Sequence, residues 1–296
     1  MKSIGNQPVR SFRLAAGAAL ALLVAAPVSA DDDPPPIPVS QLTYADLVDL
    51  SDSSELVLKA RIRKQRMIAP ALSPGLRPGW GRLLIEADTE ALLAGRAAIG
   101  ESLRFLADFP LDAKGKPPKL KKQSLILFAL PVPGKPGDIQ MIDVDSYALA
   151  DPALEARLRD VLVQLAAPEP PPHITGVRDA LAVEGNLSGE SESQLFLATR
   201  DGAPVSLNVM RRPNMEPEWG VSWTELVDQS AQPPQPGTLA WYRLACFLPQ
   251  TLPYESVLST SGSSRVLVNR DYRYVLDQLG ACTRTRDGPP VPGSRI

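Results

Sequence analysis

Hydrophobic and polar residues alternate with a period of two along much of the first half of the chain. This alternation predicts half-buried β-strands, because successive side chains of a strand point to opposite faces of a sheet. One of the segments is apolar without interruption, as in a strand that is covered on both faces. The predicted strands are, in order, 56–62, 83–88, 103–109, 125–130 and 139–144. Five strands with tight connections predict a small five-stranded, OB-like barrel within residues 41–167.

Two helices are expected in the same half. Thr43 and Asp46 have the spacing of a cap at a helix start. Near the end of this half, Asp151 precedes Pro152, and the apolar residues that follow recur on one helical face. We expect this second helix to close the OB-like half.

The second half opens with a predicted β-meander. Segments 194–199 and 205–210 flank Asp201-Gly202, which is a favoured hairpin turn. A third strand is expected at Trp219–Trp223. The fold class is therefore mostly β with some helix (α+β), with the barrel followed by a second domain made of this meander and of C-terminal helices.

Two segments near the end of the chain predict those helices. Leu239–Leu248 is apolar on all sides, so it fits either a buried helix or a buried strand, and we favour the helix. Residues 272–279 follow a helical apolar pattern, with Asn269 as the expected N-cap and Gly280 as the expected stop.

Proline-rich segments mark the expected domain boundaries, since proline breaks helices and strand ladders. The chain holds 31 prolines among 296 residues. We read 168–172 as a semi-rigid linker between the first domain and a second one at 173–283. The acidic, Pro-rich residues 31–40 and the tail 284–296 are expected to be disordered.

The N-terminus has the pattern of an export signal. Basic residues up to Arg13 precede a short apolar run, and Pro27-Val28-Ser29-Ala30 places small residues before a cleavage point at Ala30–Asp31. The apolar run is shorter than the roughly 20 residues that a membrane-spanning helix needs. We therefore expect a signal peptide at 1–30, a mature chain without a transmembrane helix, and a periplasmic or secreted location.

Charge and composition narrow the classes of function. The chain has 31 Lys and Arg against 33 Asp and Glu, which argues against a nucleic-acid partner. It has two cysteines and one histidine, too few for the common zinc sites, and we expect no cofactor and no metal. In an oxidising compartment, Cys246 and Cys282 are expected to form a structural disulfide.

Few residues suggest catalysis. His173, the lone histidine, follows the proline run without a nucleophile motif nearby, so we expect it in a solvated linker. Glu190 and Glu192 lie in a Gly- and Ser-rich stretch, where they could share acid–base work or belong to a solvated loop. The solvated loop is the favoured interpretation.

Two basic regions and a pair of tryptophans are candidate binding surfaces. Arg211 and Arg212 with Trp219 and Trp223 could form an aromatic and cationic groove for a ligand, although tryptophans at alternate strand positions are commonly core residues. Basic residues also crowd 114–122 and the end of the first strand. They suit an acidic partner or an anionic lipid surface, or else they serve solubility and protect strand edges.

Several segments carry a resemblance to known proteins. They are "GKPPKLKKQSLILFA" from Gly115, "GNLSGESESQLFLATRDGAPVSL" from Gly185, "WGVSW" from Trp219 and "LAWYRLACFLP" from Leu239. Over nearly the whole mature length the chain resembles a family of uncharacterised exported proteobacterial proteins. Residues 43–145 look like an OB-like secreted β-barrel domain. The family has no assigned activity, and an OB-like fold by itself specifies no ligand.

These observations favour an exported periplasmic or envelope protein that acts as a non-catalytic binding or interaction module. Its partner would be an envelope protein or a small-molecule ligand. One alternative is a hydrolase that acts on an envelope polymer with the acidic residues of the 185–193 loop. Another is a protease inhibitor on an OB-like scaffold.

Overall fold

The computed structural model describes residues 42–224, 231–258 and 261–286. These residues form two antiparallel β-sheets and four α-helices, which confirms a mostly β chain with some helix. The predicted signal peptide 1–30 with its cleavage point at Ala30–Asp31, the segment 31–40 and the tail beyond residue 286 lie outside the described residues.

The first sheet comes from the first half of the chain. Its strands are β1 (Leu56–Met67), β2 (Trp80–Gly95), β3 (Ser102–Pro110), β4 (Ser124–Pro131), β5 (Ile139–Met141) and β6 (Tyr147–Leu149). Neighbouring strands follow the order β3-β2-β1-β4-β5, and β6 also pairs with β4. An isolated parallel bridge joins Arg104 of β3 to Asp138 beside β5. Neither sheet is closed within the described ranges, so the predicted OB-like barrel is not confirmed.

Strand β4 is covered on both faces, which accounts for its uninterrupted apolar sequence. Leu125, Leu127 and Ala129 belong to the core on one face of the sheet. Ile126 and Phe128 point to the other face, against the helices α1 (Tyr44–Asp52) and α2 (Pro152–Leu165). Thr43 and Asp151 cap these two helices, as their spacing predicts.

The second sheet is a meander with one face covered by a helix. Its strands are β7 (Ile174–Glu184), β8 (Ser191–Thr199), β9 (Val205–Arg211) and β10 (Glu218–Ser222), in the order β10-β9-β8-β7. Helix α4 (Gly262–Leu279) buries Val268, Tyr272 and Val275 against the apolar side chains of this sheet.

The C-terminal helices differ in part from the expectation. Helix α3 (Leu239–Ala245) confirms the helical interpretation of this segment. Helix α4 begins at Gly262, and its N-cap is Ser261, so the predicted cap at Asn269 is wrong. Asn269 instead donates its side-chain amide to the carbonyl of Arg265 inside the helix. The predicted end at Gly280 is confirmed. No helix in the described part of the chain is long and apolar enough to cross a membrane.

Helix α3 connects the two halves. Its Leu239 and Tyr242 are buried in the same cluster as apolar residues of α1 and α2. The buried Arg243 donates from Nε to the carbonyl of Pro171, within the segment predicted as a linker. His173 is half-buried and lies between Asp52 and Arg243. It therefore takes part in the contact between the two halves, and the expectation of a solvated linker residue is wrong.

A disulfide holds the last described residues. Cys246 and Cys282 are bonded, with their Cα atoms 5.1 Å apart, which confirms the predicted pair. Residues 281–286, here called the C-terminal strap, then run along α1. Arg284 donates to Asp49 at 2.6 Å, the Thr285 hydroxyl donates to Asp46 at 2.7 Å, and Arg286 donates to Asp145 at 2.6 Å.

Candidate functional site

A cavity of about 710 Å³ opens at one end of the second sheet, where β8 begins, β9 ends and α4 starts. We call it the arginine pocket, because Arg211, Arg212 and Arg270 all line it. The β7–β8 loop, residues 185–190, forms another part of its wall. The pocket therefore collects residues from four separate elements of the second half.

Arg211 is the most firmly held cation of the pocket. It continues the row of β9 side chains that faces α4, after Val205, Leu207 and Val209. Its Nε donates to the carboxylate of Asp271 at 2.6 Å, and Ser193 donates its hydroxyl to the same carboxylate at 2.6 Å. Asp271 is fully buried, so Arg211 is the main group that balances its charge.

This arrangement fixes the direction of the Arg211 guanidinium. The hydrogen bond from Nε occupies one edge of the planar group, which leaves the donors of the two terminal nitrogens without an acceptor among the described residues. The Tyr274 ring lies 5.7 Å from the guanidinium carbon. Arg211 thus presents oriented donors to the pocket with little freedom left to lose on binding.

Ser191 adds a buried hydroxyl. It pairs with Arg211 across β8 and β9, and it also lines the pocket. Only 4% of the residue is exposed, and its hydroxyl has no hydrogen-bond partner in the part of the chain that the structure describes. An unsatisfied buried hydroxyl costs about 1–3 kcal/mol, which an oxygen of a bound ligand would recover.

The start of α4 lines the same pocket through Gly262 and Ser263. The amides of the first helical turn have no acceptor within the helix, and the aligned peptide dipoles make this end positive. Ser261 satisfies the amide of Ser264 at 3.1 Å. A negatively charged group beside Arg211 would therefore also meet a favourable helix end.

Three other charged side chains that line the pocket are more exposed than Arg211. Arg270 lies 3.6 Å from Asp271 and is half exposed, while Arg212 pairs with Glu218 at the surface at 2.6 Å. Glu184 is an exposed acid at the rim. Arg211 and Arg270 are therefore the two cations of the pocket that lie within ion-pair distance of Asp271.

Glu190 organises the loop of the pocket. Its carboxylate accepts the amide of Leu187 at 3.2 Å, and its side chain fills the space where a Cβ at residue 185 would lie. Gly185 also donates its amide to the carbonyl of Glu190 at 2.9 Å. Glycine at position 185 is therefore required for the present position of Glu190.

Exposed apolar side chains surround the charged interior. Leu187, Met215 and Val266 line the pocket, and each leaves more than half of its surface exposed. Large exposed apolar side chains that gather around a cavity are typical of binding sites. The rim suits a ligand with an apolar body attached to its charged group.

The structure brings together only some of the residues that the sequence suggested. Glu190, Arg211 and Arg212 all line the arginine pocket. Glu192 points away from α4 and accepts a hydrogen bond from Gln194 at 2.9 Å, so the two glutamates do not face each other across a site. Trp219 is buried in the core, and Trp223 packs against that core. The aromatic partner of Arg211 is Tyr274 rather than either tryptophan.

Sequence reasoning missed Ser191, Arg270 and Asp271. A signal for the serines was present, since Ser191 and Ser193 occupy the same alternating row as the buried Leu195 and Leu197. Two hydroxyls in an otherwise apolar row indicate a polar patch beneath a covering element. Asp271 likewise is a polar residue on the otherwise apolar face of α4, which indicates a buried polar contact.

Comparison with known proteins adds no assignment. No model of a known protein family matches the chain, and no curated protein is significantly similar to it. Among the residues that the structure covers, no group of three His, Cys, Asp or Glu is arranged to hold a metal ion.

Proposed function

We propose that the chain is an exported, non-catalytic binding protein that holds an anionic group of a small ligand in the arginine pocket. One observation carries this proposal: the oriented donors of Arg211 lie beside the buried hydroxyl of Ser191, which has no hydrogen-bond partner among the residues that the structure describes. A carboxylate or phosphate offers acceptor oxygens for both groups. The apolar rim favours a ligand whose anionic group carries an alkyl or similar apolar body.

Export and a periplasmic location are part of the same proposal. They are supported by the pattern of residues 1–30 in the sequence and by the disulfide, since disulfides persist in oxidising compartments. Membership of the exported proteobacterial family that the sequence resembles is likewise a proposal.

We also propose that the first half is a partly open OB-like barrel. The strand order and the parallel bridge between Arg104 and Asp138 support it, because that bridge brings the two ends of the strand order together. The amide of Arg104 donates to the carbonyl of Gly137 at 2.8 Å at the same place.

The test uses three probes of increasing apolar content: inorganic phosphate, acetate and octanoate. Each is titrated into the isotope-labelled protein while the backbone amide signals of Ser191, Arg211 and Gly262 are followed by NMR. We expect saturable shifts at these residues, with octanoate binding more tightly than acetate because of the rim. Shifts that are absent from these residues for all three probes would contradict the proposal.

Two variants separate binding from folding. Ser191→Ala removes a buried hydroxyl that has no partner within the described ranges, so the melting temperature should stay level or rise while the affinity falls about tenfold or more. Arg270→Gln should also weaken binding. The matched control is Arg273→Gln, an exposed arginine three residues further along α4 that does not line the pocket. Equal affinity in all three variants would remove the arginine pocket as the site.

A further inference from the structure

A second surface, at one end of the first sheet, combines exposed lysines with exposed apolar side chains. Strand β1 ends at Met67, and β2 begins at Trp80, which pairs with Pro110 at the end of β3. The β1–β2 loop, 68–79, and the β3–β4 loop, 111–123, therefore project from the same end. We call these two loops, with Arg66 and Met67, the basic end.

The basic end has a rigid attachment to the sheet. The Gln65 side chain donates to the carbonyl of Pro118 at 2.8 Å and accepts from the amide of Leu120 at 2.7 Å. Pro118 and Leu120 are buried, whereas the lysines between and after them are exposed. The loop thus turns its apolar residues inward and its charged residues outward.

Four of the five lysines in this loop lie away from the carboxylates of the described residues. Lys116, Lys119, Lys121 and Lys122 are exposed and have no carboxylate within ion-pair distance among the described residues, and the same holds for Arg66. Elsewhere on the same sheet, Arg61, Arg63 and Arg104 each pair with a carboxylate. The acid within the loop, Asp112, accepts the backbone amides of Lys114 and Lys116.

Apolar and aromatic side chains lie beside these charges. Leu72 is 74% exposed at the end of a short 3₁₀ turn that begins at Pro70, and Met67 is 46% exposed. Trp80 is partly exposed, with the Arg77 guanidinium 3.8 Å from its ring centre. Tryptophan beside basic residues is typical of protein surfaces at a membrane–water interface.

We infer that the basic end docks on an anionic lipid bilayer, with its lysines among the lipid phosphates and Leu72 inserted between the headgroups. Lysine is a compact point charge on a flexible stem, so a cluster of lysines suits a surface of many phosphates without fixed geometry. Specific recognition of one carboxylate or phosphate favours the planar arginine fork instead. The inference is independent of the ligand proposed for the arginine pocket.

The test is flotation of the protein with vesicles. One set consists of phosphatidylcholine alone, and the other contains one third phosphatidylglycerol. The protein is recovered from the envelope of its producing cell, and mass spectrometry establishes its N-terminus. We expect binding to the anionic vesicles only, and weaker binding as salt screens the charges.

Two pairs of variants assign the binding to the basic end. Lys119→Gln with Lys121→Gln should weaken binding about 25-fold, since each basic residue near an anionic surface contributes about fivefold. The control replaces two exposed cations elsewhere, Lys135→Gln with Arg273→Gln. Leu72→Ser should also weaken binding, whereas Val163→Ser, which is equally exposed on α2, should not.

Three outcomes would overturn the inference. The wild-type protein does not float with the anionic vesicles, or the control variants lose as much binding as the lysine and leucine variants. The third is binding to soluble polyglutamate in place of vesicles, which would assign the surface to an acidic polymer.

Discussion

Two neighbouring arginines, Arg211 and Arg212, form ion pairs that differ in burial. Arg211 is the last residue of β9 and reaches Asp271 of α4, whereas Arg212, the next residue, lies just beyond the strand. Arg211 meets a fully buried carboxylate, whereas Arg212 meets the exposed Glu218. Burial of the acid, rather than the presence of an ion pair, decides how much each arginine contributes to stability.

We therefore predict different costs for the same substitution at these two positions. Arg211→Met removes the main cationic partner of the buried Asp271, which keeps only the Ser193 hydroxyl and the more distant Arg270, and should lower the free energy of unfolding by about 3 kcal/mol or more. Arg212→Met should change it by about 1 kcal/mol or less, because its pair is exposed. Urea denaturation of both variants measures the difference. Equal losses would show that Asp271 does not depend on Arg211.

The surroundings of His173 fix its tautomer and lower its pKa. Arg243 lies with Nη1 2.9 Å from Nδ1 of His173, and Asp52 lies 3.2 Å from Nε2. A guanidinium can only donate, so Nδ1 accepts and the ring is neutral with its proton on Nε2. Burial and the charge of Arg243 lower the pKa of His173 below its ordinary value of 6.5, although Asp52 opposes this change.

Because the folded pKa of His173 is lowered, the unfolded chain binds its proton first as the pH falls. This contribution to stability is complete above pH 6.5 and is lost as the pH falls from 6.5 through the folded pKa. NMR titration of this lone histidine measures the folded pKa directly. A value above 6.5 would contradict the geometry, and His173→Gln should remove this part of the pH dependence.

At the scale of elements, the sequence predicts strands better than helix starts. Strand β4 and the β8–β9 hairpin follow directly from apolar patterns and a turn signal, because burial of a strand face is a local property. The start of α4 does not, since its first turns are polar and exposed and both Ser261 and Asn269 are suitable caps. Val268, buried against the sheet, extends the helix toward Ser261. Whether the first sheet closes into a barrel depends on pairing between strands far apart in sequence, which no local pattern determines.

The sequence predicts the arginine pocket only in part, because the pocket combines residues that lie far apart in the chain. Arg211, Arg212 and Glu190 stand out in the sequence as charges at the ends of strands. Their association with Arg270 and Asp271 depends on how α4 lies on the sheet, about 60 residues later in the chain. Trp219 did not indicate the position of the pocket. Its large apolar ring is buried in the core, where it contributes to stability.

The C-terminal strap leads to a prediction about the disulfide. Cys282 joins the strap to α3, and the cross-link closes a loop of 36 residues. Replacing both cysteines, Cys246→Ser with Cys282→Ser, should lower the free energy of unfolding by about 2–4 kcal/mol. Guanidinium denaturation of the oxidised wild type and of the double variant measures the change. Under reducing conditions the two proteins should have the same stability, and a persistent difference would assign the loss to the serines.

At the scale of the whole molecule, the proline segment predicted as a linker lies within a network of contacts. The carbonyl of Pro171 accepts from Arg243, and α3 shares a buried cluster with α1 and α2. Composition marks a break in regular structure at 168–172, but it does not report contacts between residues far apart in sequence. The contact between α3 and the first half involves Tyr242, whose hydroxyl donates to Asp49, and the buried Leu239.

We predict that the two halves unfold together. Leu239→Ala removes apolar contacts from the shared cluster and should cost about 2–5 kcal/mol. The loss should appear equally when unfolding is followed by circular dichroism and by the fluorescence of the four tryptophans, of which Trp80 lies in the first half and Trp219, Trp223 and Trp241 in the second. Two separate transitions in the wild type would show that the halves are independent.

The C-terminal strap has a mechanical consequence. The described chain begins at Leu42 and ends at Arg286, and Thr285 holds Asp46 in the first turn of α1. A force applied between these two ends would act first on the bond between Arg286 and Asp145 and on the bonds between the strap and α1. After these broke, the disulfide would pass the load to α3 and its contacts. Asp145 lies between β5 and β6 and also pairs with Arg77 of the basic end, so tension on the strap would reach that end of the first sheet early. No residue of the strap lines the arginine pocket, which the load would reach later.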